Sequence, residues 1–235
     1  MKNRVLGVVG GAGPLASAEF TKTIYECSLG EREQEAPVVL LYSDPTFPDR
    51  TEALLAGDSE PTLTKLVAAL EWLRDSGASQ TIICCVTMHH LLKRVPVHLR
   101  AQVISLIDVI IDAVARSRER HVLVCSTGAR RLEVFQSHER WREIEDYIVW
   151  PEETDQQFIH QELIYQVKQN RNLDELLPLF VRLVAKYEIR SFVAGCTEIH
   201  LLAKRLSSSS LWSERIVDPL LLIAREVARE TLVCQ

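Results

Sequence analysis

Two short segments carry the residues best suited to chemistry. Cys85-Val86-Thr87-Met88-His89 and Cys196-Thr197-Glu198-Ile199-His200 each put a cysteine directly after an apolar, strand-like run and a histidine four residues further on. A thiol at the carboxyl end of a strand, where a helix begins, sits in the positive potential of the helix N-terminus. That field lowers its pKa from a free value of about 8.5, so each cysteine is expected to be available as a thiolate near neutral pH. Two such thiols facing one bound molecule can take a proton from one face of a carbon and return one to the other, the chemistry that cofactor-free racemisation needs. Thr87 and Thr197 place a hydroxyl beside each thiol, while His89 and His200 either tune the thiols or pack into the first helical turn.

The elements that must hold these residues alternate regularly. Apolar runs of strand length at 5–9, 38–42, 81–85, 121–125, 191–194 and 215–217 are separated by amphipathic stretches at 14–27, 62–76, 104–117, 155–169, 173–187 and 219–232. This is the pattern of an α/β protein, with parallel sheets flanked by helices. Each cysteine segment follows a similar strand, Thr81-Ile82-Ile83-Cys84 in one case and Ser191-Phe192-Val193-Ala194 in the other. Two similar Rossmann-like lobes are expected, each giving one cysteine to a cleft between them, because ligands in such sheets bind beyond the carboxyl ends of the strands. The expected division is residues 1–98 plus 207–235 for the lobe with Cys85, and 99–206 for the lobe with Cys196.

Three further stretches fall at that end of the strands. Gly10-Gly11-Ala12-Gly13-Pro14-Leu15-Ala16 ends the first strand and opens a helix, with Pro14 suited to the first turn. Its Gly11, Gly13 and Ala16 match a dinucleotide-binding fingerprint, but the acidic residue expected about 20 positions on is displaced to Asp44, about 30 on. The loop either turns the chain, or holds a small carboxylate on backbone N–H groups at the helix start, the reading that best suits the rest of the sequence. Phe47-Pro48-Asp49-Arg50-Thr51 is read as a loop, in which Arg50 offers a planar fork for a carboxylate or is simply solvated; Lys168, on a helix of the second lobe, has the same two readings.

Composition narrows the classes of function. The 235 residues carry 27 basic and 32 acidic side chains, mixed along the chain, for a net charge of −5. No basic block marks a nucleic-acid partner. The apolar run after Met1-Lys2-Asn3-Arg4 is too short for a signal-peptide core, and no later run approaches a membrane span, so a cytoplasmic protein is expected. The six cysteines are scattered without metal-ligand or disulfide-framework spacing, and no metal site is expected. Cys27, Cys84, Cys125 and Cys234 are expected to behave as small buried hydrophobes.

Taken together, GGAGPLAS, PDRT, CVTMHH and GCTEIH resemble the aspartate/glutamate racemase superfamily, and Glu198 after GCT places the chain nearer its aspartate racemase branch. The resemblance implies an enzyme that needs no cofactor such as pyridoxal phosphate, usually a homodimer, acting on a small amino-acid substrate. It implies Cys85 and Cys196 as paired acid and base, Arg50 and Lys168 as carboxylate ligands, and substrate contacts from Gly11, Pro14, Leu15, Thr87, Thr127, Thr197 and Glu198. Two positions depart from the family pattern. Val86 stands where asparagine is usual, and Arg130 in Ser126-Thr127-Gly128-Ala129-Arg130 stands where a threonine is usual, which would enlarge or recharge the pocket. Competing readings are a dicarboxylate isomerase or decarboxylase of the same superfamily, a catalytically silent amino-acid-binding protein, and a nicotinamide-dependent enzyme using the glycine loop.

Overall fold

A computed structural model describes residues 5–30, 32–212 and 215–233. The charged start at 1–4 and Cys234 lie outside the described residues. The strands are β1 (Val5–Gly10), β2 (Val38–Ser43), β3 (Gln80–Ile83), β4 (Val103–Ile104), β5 (His121–Cys125), β6 (Ile148–Val149), β7 (Phe192–Gly195) and β8 (Ile216–Val217). They form two parallel four-stranded sheets with orders β2-β1-β3-β4 and β6-β5-β7-β8. Each sheet therefore places its second, first, third and fourth strands in the same spatial order, as two similar lobes require. Helices cover both faces, which is why β5 is buried along its whole length instead of alternating.

Gly10 lies level with Ser43, Val9 with Ile83, and Cys125 with Gly195, so the chain leaves each sheet toward one common rim. The lobes also share a core. Phe20 and Ile24 of helix Pro14–Ser28, Ile110 and Ile111 of helix Leu106–Ser117, and Leu220 of the last helix pack in one cluster with Ile82 of the first sheet and Leu123 and Val193 of the second. Among the described residues, no helix is long and apolar enough to cross a membrane.

Several local expectations are corrected. The helix expected from 104 begins at Leu106, because Ile104 pairs with Ile82 as an edge strand and Ser105 caps the helix by accepting from Asp108 N at 3.1 Å. The helix expected over 155–169 runs as Glu153–Phe158, a π-helix Ile159–Ile164, and Tyr165–Lys168. The loop at 47–51 turns into a helix, Arg50–Leu55, whose N-cap Asp49 accepts from Thr51 N and Glu52 N.

Candidate active site

Cys85 follows β3 by two residues, where Cys84 N still donates to Val9 O and Cys85 N turns back to Ile83 O at 2.7 Å. The 3-10 helix Thr87–Arg94 starts from that turn. Cys196 follows β7, and its carbonyl accepts from Ile199 N to start helix Ile199–Ser207. Thr197 Oγ1 donates to Cys84 O at 3.3 Å, a buried hydrogen bond that ties the two cysteine turns together across the lobes. Cys85 is half-buried and Cys196 is buried.

The helix-start argument does not hold for Cys196. Burial pushes its thiol well above the ordinary range, and the Glu198 carboxylate, whose Oε2 accepts from Cys196 Sγ at 2.8 Å, pushes it further; the nearby Lys168 ammonium only partly opposes this. Cys84 and Cys125 are buried free thiols, as expected, and burial raises Cys125 to about 12.

Both histidines pack behind their cysteines. His89 Nε2 accepts from Leu106 N at 3.0 Å, so Nδ1 carries the proton and donates to Cys85 O at 3.1 Å. Burial lowers His89 to about 4. Its unfolded counterpart takes a proton near 6.5, so between these values the unfolded state binds more protons, and stability falls as pH drops from 6.5 toward 4. Thermal melts over that range should show the fall. In His89→Gln, which keeps a donor and an acceptor but cannot titrate, the slope should shrink; an unchanged slope would assign the effect elsewhere. His200 is fully buried, with Nδ1 on Asp218 Oδ2 at 2.6 Å and Nε2 on Thr23 Oγ1 at 3.0 Å.

The glycine loop serves the second lobe. Gly11 has φ +89, and a Cβ there would lie 2.3 Å from the Asp44 backbone, so only glycine fits the turn. A Cβ on Gly13 would lie 2.3 Å from Glu198 Oε1. The protein's own carboxylate thus occupies the space before Gly13, where a dinucleotide fingerprint leaves room for a pyrophosphate. Pro14 and Leu15 form the first helical turn, with Pro14 exposed and Leu15 partly buried.

Arg50 is buried, and not a solvated loop residue. Its Nη1 donates to Phe47 O and Pro48 O and its Nη2 to Ala12 O, which leaves Nε–H and one Nη2–H without a partner among the described residues. Lys168 reaches across the lobes to Asp49 Oδ2 at 3.7 Å, and Tyr165 donates to the same oxygen at 3.1 Å. Burial opposes the charge on Lys168, but Glu198, Cys196 and Asp49 outweigh it and raise the ammonium's pKa. Thr87 pairs with Ser126 Oγ across the lobes at 3.0 Å, and Thr127 N donates to His160 Nδ1 at 3.4 Å. Arg130 donates to Pro151 O and Gln156 Oε1 and lies over the Trp150 ring, so its head is held within the second lobe; Val86 is in the core.

Asp49, Tyr165 and His160 were not among the residues expected from sequence. Asp49 had a legible signal, an aspartate three residues before a glutamate-containing first turn, and Tyr165 lies one helical turn from Lys168. His160 had none, since the π-helix changes which residues share a face.

Known proteins share this architecture. The Picrophilus torridus aspartate racemase superposes with a TM-score of 0.80 at 19% identity, over 97% of this chain and 94% of that one. An aspartate racemase homologue from Pyrococcus horikoshii OT3 gives 0.67 at 18% identity, over 98% and 99%. The glutamate racemase of Campylobacter jejuni subsp. jejuni gives 0.59 at 18% identity, over 96% and 85%. The family model for Asp/Glu/hydantoin racemases matches residues 9–227, so nearly the whole chain is covered, both cysteine turns included. The chain belongs to the Asp/Glu/hydantoin racemase family.

Proposed function

We propose that this protein is a cofactor-independent amino-acid racemase acting on aspartate, glutamate or both, with Cys85 and Cys196 as its two bases. The observation that carries the reading is the joining of the two cysteine turns by the bond from Thr197 Oγ1 to Cys84 O, with Cys85 close enough to raise the pKa of the Cys196 thiol, behind burial and Glu198 in size. The dicarboxylic substrate class is supported by two cations at the same rim. Arg50 has free N–H groups to offer one carboxylate, and Lys168, by exchanging Asp49 for substrate, offers an ammonium to a second.

In this reading the two cations offset the negative charge that builds as the α-proton leaves, an effect that is large in a site shielded from water. Gly11, Pro14, Leu15, Thr87, Thr127, Thr197 and Glu198 complete the substrate surroundings. The same reading takes the protein as a cytoplasmic homodimer. Its lobes are residues 1–98 plus 207–235 and residues 99–206, with the edge strands at 103–104 and 216–217 each lent to the other lobe's sheet.

The test is incubation in deuterated water with L- and D-amino acids, aspartate and glutamate included, reading α-proton exchange by NMR and enantiomer ratio by chiral chromatography. Exchange with inversion is the expected result and names the substrate. Loss of carbon dioxide would replace it with a decarboxylase, and tight binding without exchange with a silent binding protein.

A further inference from the structure

The helical segment that leads to Lys168 has one irregular turn. Tyr165 N donates to His160 O, which closes the wide turn of the π-helix Ile159–Ile164. In a regular α-helix, residues five apart point about 140° away from each other. The wide turn brings this pair together instead, and the His160 and Tyr165 rings meet edge to face with centroids 4.9 Å apart. Lys168 Nζ lies 4.7 Å from the centroid of the same tyrosine ring. Three polar side chains, His160, Tyr165 and Lys168, are thus gathered where the second lobe meets Asp49 of the first.

The hydrogen bonding of His160 fixes its tautomer. Thr127 N can only donate, and it donates to His160 Nδ1 at 3.4 Å, so the ring proton sits on Nε2. Burial and the Lys168 ammonium favour the neutral ring, with Arg131 adding to them; Asp49 and Glu198 oppose this and do not prevail. The Nε2–H has no acceptor among the described residues. It is also absent from their buried, unpartnered side-chain atoms, so it faces open space and not a closed interior.

We propose that His160 is a specificity-determining residue, whose Nε2–H donates to the same substrate carboxylate that Lys168 holds. The proposal rests on the racemase reading for one thing, the carboxylate at Lys168. Asp49 shows that the spot suits such a group: its Oδ2 accepts from Tyr165 Oη at 3.1 Å and lies 3.7 Å from Lys168 Nζ. The ammonium supplies charge with little direction, and the imidazole N–H supplies direction without a second charge. Both groups only donate, and a carboxylate's oxygens only accept. The side-chain amide of asparagine or glutamine would instead turn its own NH2 toward one of the two donors, an unmatched pairing that a shielded site penalises. His160 therefore helps to separate aspartate and glutamate from their amides by hydrogen-bond pattern, in addition to the separation by charge that Lys168 gives.

The test begins on the unmodified protein, isotope-labelled at histidine nitrogen. Long-range proton–nitrogen NMR should show His160 as the Nε2–H tautomer, and saturation with succinate or aspartate should move that Nε2–H signal downfield. Calorimetry then compares it with His160→Asn, which keeps an acceptor near the Nδ1 position for Thr127 N but has no donor at Nε2. The variant should bind succinate and aspartate about 10- to 100-fold more weakly, the worth of one hydrogen bond to a charged group. Asparagine binding should weaken less, so the preference for aspartate over asparagine shrinks. A purely structural role would weaken both amino acids alike and leave that preference where it was. An Nδ1–H tautomer, or an Nε2–H signal unmoved by a bound dicarboxylate, would overturn the proposal without need of any variant. An unchanged preference in a folded His160→Asn would overturn it too, as would failure of both succinate and aspartate to bind the unmodified protein. The two readings fail separately. Dicarboxylate binding without α-proton exchange ends the racemase reading alone, and exchange confined to amino acids with one carboxylate ends this proposal alone.

Discussion

Alanine at Cys85 or at Cys196 is expected to lower racemisation by at least about 10³-fold, because each removes one of the two groups that exchange a proton with the α-carbon, and such a group contributes about 10² to 10⁴ alone. The two variants should not be equivalent in finer detail. With Cys196→Ala, Cys85 still reaches one face of the substrate, so solvent deuterium should enter one enantiomer slowly and without inversion. With Cys85→Ala, the remaining thiol is buried and hydrogen-bonded to Glu198, so exchange on its face should be slower still. NMR of the α-proton and chiral chromatography on the same samples separate exchange from inversion. Full racemisation by either alanine variant would end the two-base scheme.

Asp218→Ala should cause a large loss of stability for a change to a polar residue. Asp218 is 1% exposed and does two jobs: Oδ2 binds His200 Nδ1 at 2.6 Å, and Oδ1 accepts from Leu220 N at 3.0 Å in the first turn of helix Pro219–Val233. Its removal leaves a buried imidazole N–H without a partner, which costs about 3 kcal/mol, and takes away a helix cap worth about 1 kcal/mol. For a chain of this size the sum corresponds to a fall in Tm of roughly 8–16 °C. Asp218→Asn, which retains one acceptor, should lose about half as much. His200 lies one turn beyond Cys196, and its other ring nitrogen meets Thr23 on helix Pro14–Ser28. The loss should therefore appear in a thermal melt and also as faster alkylation of Cys196, whose helix is no longer anchored from behind. A melt within 2 °C of the unmodified protein, an order-of-magnitude threshold on the same scale, would show that the pair contributes nothing net.

The parts of this protein legible in its sequence are those written in local patterns. Buried parallel strands need continuous apolar runs, so β1, β5 and β7 could be found by inspection, and the helix start at Pro14 follows from a ring that fixes φ and needs no donor. The two cysteine turns were legible because the same strand-to-helix turn is used twice, at the end of the third strand of each sheet. Short elements were not. The two residues of β4 or β6 are strands only because a neighbouring strand pairs with them.

What only the tertiary structure decided is the chemical state of the site, because that state is set by partners far away in sequence. A helix-start field argues for a thiolate at Cys196, yet burial and a carboxylate at 2.8 Å argue the other way and prevail. That carboxylate lies against Gly13, near the other end of the chain. Lys168 and Asp49 meet across the lobes, as do His200 and Thr23, and Thr197 and Cys84. Residue types and spacing determined which groups this protein brings to its strand ends. Charge and burial act over ångströms in space and not along the chain, so only the packing of the two lobes determined which of those groups hold a proton and which hold one another.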